Sequence, residues 1–155
     1  MGLNRIFFPG SFDPFTKGHE AIVRKALNLF DEVVIGIGVH STKSPFFSLE
    51  TRKKHIEHLF PTEKVKVVSF TGLTVEACLR NECSHLLRGL RDSKDFQYER
   101  SIAHMNQSLN GIETLFLLTD LSLSAINSTI VREIYQNQGD ITSFVTNSEL
   151  LIKGS

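Results

Sequence analysis

Short apolar runs rich in β-branched and aromatic residues alternate along this chain with longer stretches in which apolar positions recur at helical spacing. That alternation predicts βαβ units feeding a parallel sheet with helices on both faces, a Rossmann-like, doubly wound α/β fold. Five strands are expected, at Arg5 to Phe8, Glu32 to Val39, Val65 to Phe70, His85 to Leu87 and Glu113 to Leu118. The run Val33-Val34-Ile35-Gly36-Ile37-Gly38-Val39 has no polar side, as suits a central parallel strand covered by helices. Its two glycines suggest close backbone approach. Ile22, Val23, Ala26, Leu27 and Phe30 form one stripe of a helix from His19 to Phe30. Further helices are expected at Leu49 to Leu59, capped by Ser48, and at Thr74 to Asn81, Asp95 to Leu109, Ser128 to Asn137 and Ile141 to Ile152.

No internal repeat or Pro/Gly-rich linker breaks the series, so residues 1–155 read as one domain. Usage of 41% hydrophobic and 22% charged residues is that of a globular chain. Lys plus Arg equals Asp plus Glu at 17 each, which argues against nucleic acid as the main partner and makes any anion site local. The opening Met1-Gly2-Leu3-Asn4-Arg5 lacks an apolar signal core, and no apolar run nears the roughly 20 residues of a membrane span, so a cytoplasmic location is expected. Cys78 and Cys83 have no partner at metal-ligand spacing and read as reduced thiols. Among the histidines, His40 falls near the expected ligand edge, His55 and His58 read as exposed helix positions, and His85 and His104 as partly buried ones. No trio of them suits a metal. Phe46, Phe47, Phe60 and Phe70 read as packing rather than as base-stacking platforms.

In an open sheet of this kind ligands bind beyond the carboxyl ends of the strands, so the chemistry belongs in the loops that follow them. The first strand runs into Phe8-Pro9-Gly10-Ser11-Phe12-Asp13-Pro14-Phe15-Thr16-Lys17-Gly18-His19. Its glycines admit a ligand close to the backbone, and Ser11, Thr16 and His19 put donors at the mouth of a helix, an arrangement suited to phosphate. The same residues also describe a plain strand-to-helix turn with an incidental histidine. Neither a Gly-x-x-x-x-Gly-Lys-Ser/Thr loop nor a three-glycine dinucleotide loop is present, so phosphate must be held another way. Ala125-Ile126-Asn127-Ser128-Thr129-Ile130-Val131-Arg132 offers a second loop-to-helix anion site, or only an N-cap by Ser128 or Thr129. Arg88-Gly89-Leu90-Arg91 follows a strand and puts two guanidinium forks at the ligand edge, unless Asp92 and Asp95 pair them off at the surface. Lys43, beyond the second strand, is by itself a solvated loop lysine.

Thr16-Lys17-Gly18-His19 resembles the (H/T)xGH signature of the nucleotidyltransferase superfamily, and Ile126-Asn127-Ser128-Thr129-Ile130-Val131-Arg132 resembles its ISSTxxR partner, in order and spacing. Pro9 to Pro14, Lys43-Ser44-Pro45, Leu87 to Arg91, Asp95-Phe96-Gln97-Tyr98-Glu99 and His104-Met105-Asn106 are similar in register to one branch, the bacterial phosphopantetheine adenylyltransferases. The likeness runs from Arg5 to about Phe144. The departures are Ser11 for the usual Thr, Asn127 for Ser, Leu123 where Trp is common, and Thr74 for an apolar residue.

This resemblance implies direct in-line attack by the phosphate of 4'-phosphopantetheine on the α-phosphorus of ATP, releasing pyrophosphate and giving dephospho-coenzyme A. No protein nucleophile is required, and positioning and charge stabilisation dominate. It assigns catalysis to His19, Lys43 and Arg91, with His19 at the α-phosphate. The acceptor falls to Ser11, Lys43, Thr74 and Arg88. ATP falls to Ser11, Phe12, His19, Gly89, Leu90, Arg91 and Glu99, and to the segment Leu123-Ser124-Ala125-Ile126-Asn127-Ser128-Thr129. Mg2+ would ride on the ATP phosphates without a protein metal site. Family membership further implies a homohexamer and inhibition by coenzyme A. The alternatives are a nucleotidyltransferase with another acceptor, such as nicotinate mononucleotide or a phosphorylated polyol, and a non-catalytic nucleotide-binding regulator on the same fold.

Overall fold

The apolar runs become five parallel strands in a computed structural model that describes residues 2–153; the outermost positions of the 1–155 domain expected above, Met1, Gly154 and Ser155, lie outside the described residues. The elements follow in the order β1 (Arg5–Gly10), α1 (Lys17–Ala26), β2 (Glu32–Gly38), α2 (Leu49–Leu59), β3 (Val65–Phe70), α3 (Thr74–Arg80), β4 (His85–Leu90), α4 (Ser93–Asn110), β5 (Glu113–Leu118) and α5 (Ser128–Gln136), with short 3-10 turns at Leu121–Leu123 and Ser148–Leu150. The strand order is β3-β2-β1-β4-β5, so the chain winds outward from β1 in one direction and then restarts at β4 on its other side. The switch point is the β1/β4 seam, where such folds open a ligand crevice.

The seam parts by itself. β1 pairs with β2 along its whole length, from Arg5↔Glu32 to Gly10↔Ile37, but with β4 only at Ile6↔His85 and Phe7↔Leu86. Pro9, which has no N–H to give a ladder, sits in the part of β1 that β4 has left. Both strands run past their expected ends, so Pro9, Gly10, Arg88 and Gly89 stand on strand ends rather than on loops.

Alternation along the central strands splits the core between the two sheet faces. Ile6, Phe8, Val33, Ile35 and Ile37 pack with Ile22, Val23 and Ala26 of α1, while Phe7, Val34 and Leu86 pack with Val75 and Cys78 of α3. Cys78 and Cys83 are free buried thiols, and burial raises their pKa to about 11 and about 12. The close approach expected at Gly36 is made by Phe7: a Cβ there would stand 2.3 Å from the Phe7 ring. Phe7 is fully buried and edge-on to Phe70, so it has nowhere to retreat. Gly36→Ala is therefore expected to destabilise the fold by about 1–3 kcal/mol, the usual cost of overpacking, measured as a lowered thermal midpoint.

The helix expected at Ile141 to Ile152 does not form. Its apolar residues Ile141, Val145 and Leu151 are buried against Phe47 and Val131, so the spacing did mark a core-facing segment. But Asp140 Oδ1 accepts Thr142 N–H, the Phe144 carbonyl accepts Lys17 N–H, and Asn147 turns left-handed at φ 55°. Asp140 caps a single turn, in which Val145 N–H reaches the Ile141 carbonyl; the Lys17 bond then takes a carbonyl that a longer helix would pair, and the left-handed Asn147 stops the chain from continuing it. α1 starts two residues earlier than expected and stops at Ala26, whereas α2 and its Ser48 cap fall where expected. Two histidines are corrected. His55 is fully buried, because α2 packs on the C-terminal segment and His55 Nε2 lies 2.8 Å from the Thr146 carbonyl. His104 is exposed, because α4 buries none of its residues in this chain.

Candidate active site

The Thr16–His19 segment is a capping box in which histidine stands where Glu or Gln is usual. Thr16 Oγ1 accepts His19 N–H at 3.5 Å, and His19 Nδ1 accepts Thr16 N–H at 3.0 Å. A backbone amide only donates, so Nδ1 is the acceptor and the proton of the neutral ring sits on Nε2. The ring packs against Phe12 and Phe15, with centroids 5.1 and 5.2 Å away, at the wall of a cavity of about 360 Å3. Burial is the main cause that pushes its pKa down to about 3, and the charges of Arg88 and Arg91 add to the shift. His19 is thus an uncharged Nε2–H donor at neutral pH. Because the folded value lies below the unfolded one, the unfolded chain takes up the proton first as pH falls, and stability is lost between about 6.5 and about 3. In an NMR pH series the His19 ring should not titrate between about pH 5 and 8, where an ordinary histidine does. A midpoint near 6.5 would show the ring to be open to water.

The loop above the ring is drawn tight. Phe12 adopts φ 48°, a region that bulky residues seldom occupy outside functional turns, and its own ring is buried against Phe8. Gly10 makes room for it, since a Cβ there would stand 2.9 Å from the Phe12 ring.

The second motif is wired to the first. Asn127, and neither Ser128 nor Thr129, is the N-cap of α5, its Oδ1 accepting Ile130 N–H at 2.9 Å. Ser128 Oγ donates to the Pro14 carbonyl at 2.8 Å, and Arg132 donates to the Asp13 carbonyl at 2.8 Å and to Thr129 Oγ1 at 3.2 Å. Two distant sequence motifs therefore form one wall.

Across the cavity stand the two arginines of β4 and its end. Arg88 forks onto Glu99 of α4, with Nε–Oε2 3.0 Å and Nη2–Oε1 2.7 Å, and its Nη1 donates to the Pro9 carbonyl at 2.8 Å across the parted seam. These three contacts leave guanidinium N–H donors free for an anion. Glu99, expected on the nucleotide, lines the cavity with its carboxylate 12% exposed and paired with Arg88. Arg91 does pair with Asp95, yet both line the cavity. Asp92 does not pair with an arginine: its Oδ1 accepts Asp95 N–H as the cap of α4.

Of the expected residues, Ser11, Phe12, His19, Gly89, Arg91, Glu99, Ile126, Asn127, Ser128 and Thr129 line this cavity together with Arg88. Leu90 turns into the core at 7% exposure, and Leu123, Ser124 and Ala125 lie on and after the 3-10 turn, off the cavity wall. Thr74 lines a second cavity with Ser11, Arg88 and His40, and Lys43 a third with Ser11, His40 and Arg132. Ser11 is thus the shared corner of all three. Thr119 joins the main cavity and was missed by the motifs, although it is the first residue beyond β5 and therefore at the ligand edge.

The family model described as cytidylyltransferase-like matches residues 7–134. A phosphopantetheine adenylyltransferase of Flavobacterium psychrophilum is 46% identical over 144 residues, which cover 92% of this chain and 95% of the relative. One from Porphyromonas gingivalis is 40% identical over 152 residues, covering 97% and 99%. The crystal structure of a bifunctional NMN adenylyltransferase/ADP ribose pyrophosphatase from Francisella tularensis superposes with a TM-score of 0.70 at 17% identity, over 96% of this chain and 49% of that one, and shares the fold. The chain belongs to the phosphopantetheine adenylyltransferase family of cytidylyltransferase-like proteins.

Proposed function

We propose that the three cavities around Ser11 form one site in which this enzyme, folded as a single nucleotidyltransferase domain, transfers the adenylyl group of ATP to 4'-phosphopantetheine, giving dephospho-coenzyme A and pyrophosphate. The carrying observation is that the main cavity, with His19, Arg91 and the amide-bearing start of α5, meets the Lys43 and Thr74 cavities at one residue, Ser11. ATP occupies the first, its phosphates facing His19 and Arg91 and the turn Ile126 to Thr129. The acceptor reaches in past Thr74, its phosphate held near Ser11 by Arg88 and Lys43.

The acceptor phosphate oxygen attacks the α-phosphorus in line, the bond to the β-phosphate oxygen breaks, and pyrophosphate leaves. Charge grows on the non-bridging α-oxygens, where the His19 Nε2–H donates. Arg91, set by Asp95, faces the departing pyrophosphate, and Lys43 and Arg88 orient the nucleophile. The carboxylates near the cavity, Asp13, Asp95 and Glu99, are each taken up by N–H donors, and among the described residues no His/Cys/Asp/Glu cluster fits a metal cage. A divalent ion, Mg2+, would enter with the nucleotide and offset the charge of its phosphates.

The decisive assay is pyrophosphate release from ATP with phosphopantetheine, compared with nicotinate mononucleotide and a phosphorylated polyol; equal release with these would defeat the acceptor assignment. ATP is expected to be strongly preferred over CTP, and comparable turnover with CTP would overturn the adenylyl assignment. Leu123 offers no aromatic surface for base stacking.

α4 presents Tyr98, Ile102, Met105 and Leu109 outward beside the edge strand β5. A face of that size and character supports self-association into a homo-oligomer, a hexamer by family likeness, which light scattering would report. Coenzyme A, which carries both halves of the product, should compete at the same site. No described helix is long and apolar enough to cross a membrane, and the reaction suits the cytoplasm.

A further inference from the structure

Lys43 is exposed on the loop after β2, so where its ammonium can reach is set by the backbone that carries it. That backbone is gripped from two sides. Asp13, 8% exposed in the loop after β1, accepts Phe46 N–H on Oδ2 at 2.7 Å and Phe47 N–H on Oδ1 at 2.8 Å. Arg52, 4% exposed in the first turn of α2, donates through Nε to the Phe47 carbonyl at 3.0 Å and through Nη1 to the Ser11 carbonyl at 2.7 Å. The loop that carries Ser11 and the loop that carries Lys43 are thus tied twice, once through a buried carboxylate and once through a buried guanidinium. Arg132 of α5 holds the Ser11 loop from another side by donating to the Asp13 carbonyl.

Two buried charges are a poor way to gain stability alone, since an apolar pair of similar volume does as well or better. What they offer here is geometry: both carboxylate oxygens and both ends of a rigid fork are spent on backbone groups of the two loops. We propose that Asp13 and Arg52 are positioning residues that fix the Lys43 loop against Ser11, so that Lys43 meets the acceptor phosphate at the distance the transfer requires. The proposal rests on the reading of Lys43 as a ligand of that phosphate.

The test is a double-mutant cycle on the full chain with Lys43→Ala, Asp13→Asn and the pair, measuring kcat, KM for ATP, KM for phosphopantetheine and thermal midpoint. In Asp13→Asn an NH2 group faces one of the two amide N–H groups that had an acceptor, so one of the two grips on the Lys43 loop is lost. With charge-assisted bonds at stake, Asp13→Asn should lower kcat/KM for the acceptor by roughly tenfold or more while leaving KM for ATP within about twofold. In the Lys43→Ala background the same change should cost less than about threefold, because the residue it positions is gone. Costs that multiply in full, or a wild-type acceptor kcat/KM in Asp13→Asn, would overturn the positioning role while leaving the acceptor site standing. Unchanged acceptor kinetics in Lys43→Ala itself would overturn both. Should Asp13→Asn fail to fold, Arg52→Lys, which keeps the charge and loses the fork, takes its place in the same cycle with the same criteria. Faster amide exchange at Phe46 and Phe47 in Asp13→Asn is the independent readout, and unchanged exchange there counts against the grip.

Discussion

His19→Ala is expected to lower turnover by roughly a hundredfold or more while ATP still binds, the scale on which losing one preorganised donor to developing charge is felt. The Thr16 amide pins Nδ1 and leaves Nε2–H as the free donor, so the ring needs no proton from solvent and no change of tautomer to act. Interactions that strengthen only as the α-oxygens gain charge lower the barrier without tightening ground-state binding. The same substitution also removes half of the capping box, which costs about 1 kcal/mol, or a few degrees of thermal midpoint in a domain of this size. A loss of that size cannot account for the fall in turnover per folded molecule. Thermal unfolding, ATP titration and steady-state rates on one preparation separate the two effects; near wild-type turnover would remove His19 from the mechanism.

Arg88→Ala carries the second large effect, for two reasons that add. The acceptor phosphate loses a guanidinium fork, and Glu99 is left with an unpaired carboxylate facing the cavity, because Arg88 is its bidentate partner. A charge-assisted contact is worth about 1.5–3 kcal/mol, so kcat/KM for phosphopantetheine should fall by roughly ten- to a hundredfold from the first reason alone. Adding Glu99→Gln to Arg88→Ala should restore part of the loss by removing the uncompensated charge beside the phosphate. Arg88→Lys should lie between, since an ammonium keeps the charge but has only three donors and no planar fork, too few to hold Glu99 and the Pro9 carbonyl as Arg88 does and still bind phosphate. Acceptor kinetics that do not change in Arg88→Ala would dismiss this part of the site.

Much of the molecule is written in local patterns that need no tertiary information. The continuous apolar run of β2 and the stripe of α1 follow from periods of two and 3.6 residues, and α2 with its Ser48 cap follows from a side chain meeting amides three residues away. The Thr16–His19 capping box is likewise local, which is why a four-residue motif can carry both the start of a helix and the donor proposed for the α-phosphate.

Other features depend on groups far apart in the chain. His55 lies in a stripe with Arg52, Ile56 and Leu59, and nothing in α2 itself reveals that the C-terminal segment closes over it. The segment from Ile141 onward has helical spacing, yet the bond from Lys17 N–H to the Phe144 carbonyl and the left-handed Asn147 limit it to turns. Arg88 and Glu99, eleven residues apart, become partners only once α4 packs back on β4, and Asp13 finds the Phe46 and Phe47 amides only across two strands. The sequence by itself determined the strands, most helices, the two motifs and the family. Tertiary structure alone decided where β1 and β4 part, which carboxylate neutralises which arginine and which loops are tied together, because hydrogen bonds and ion pairs go to whichever partner folding brings within about 3 Å, and residue type and spacing do not specify that partner.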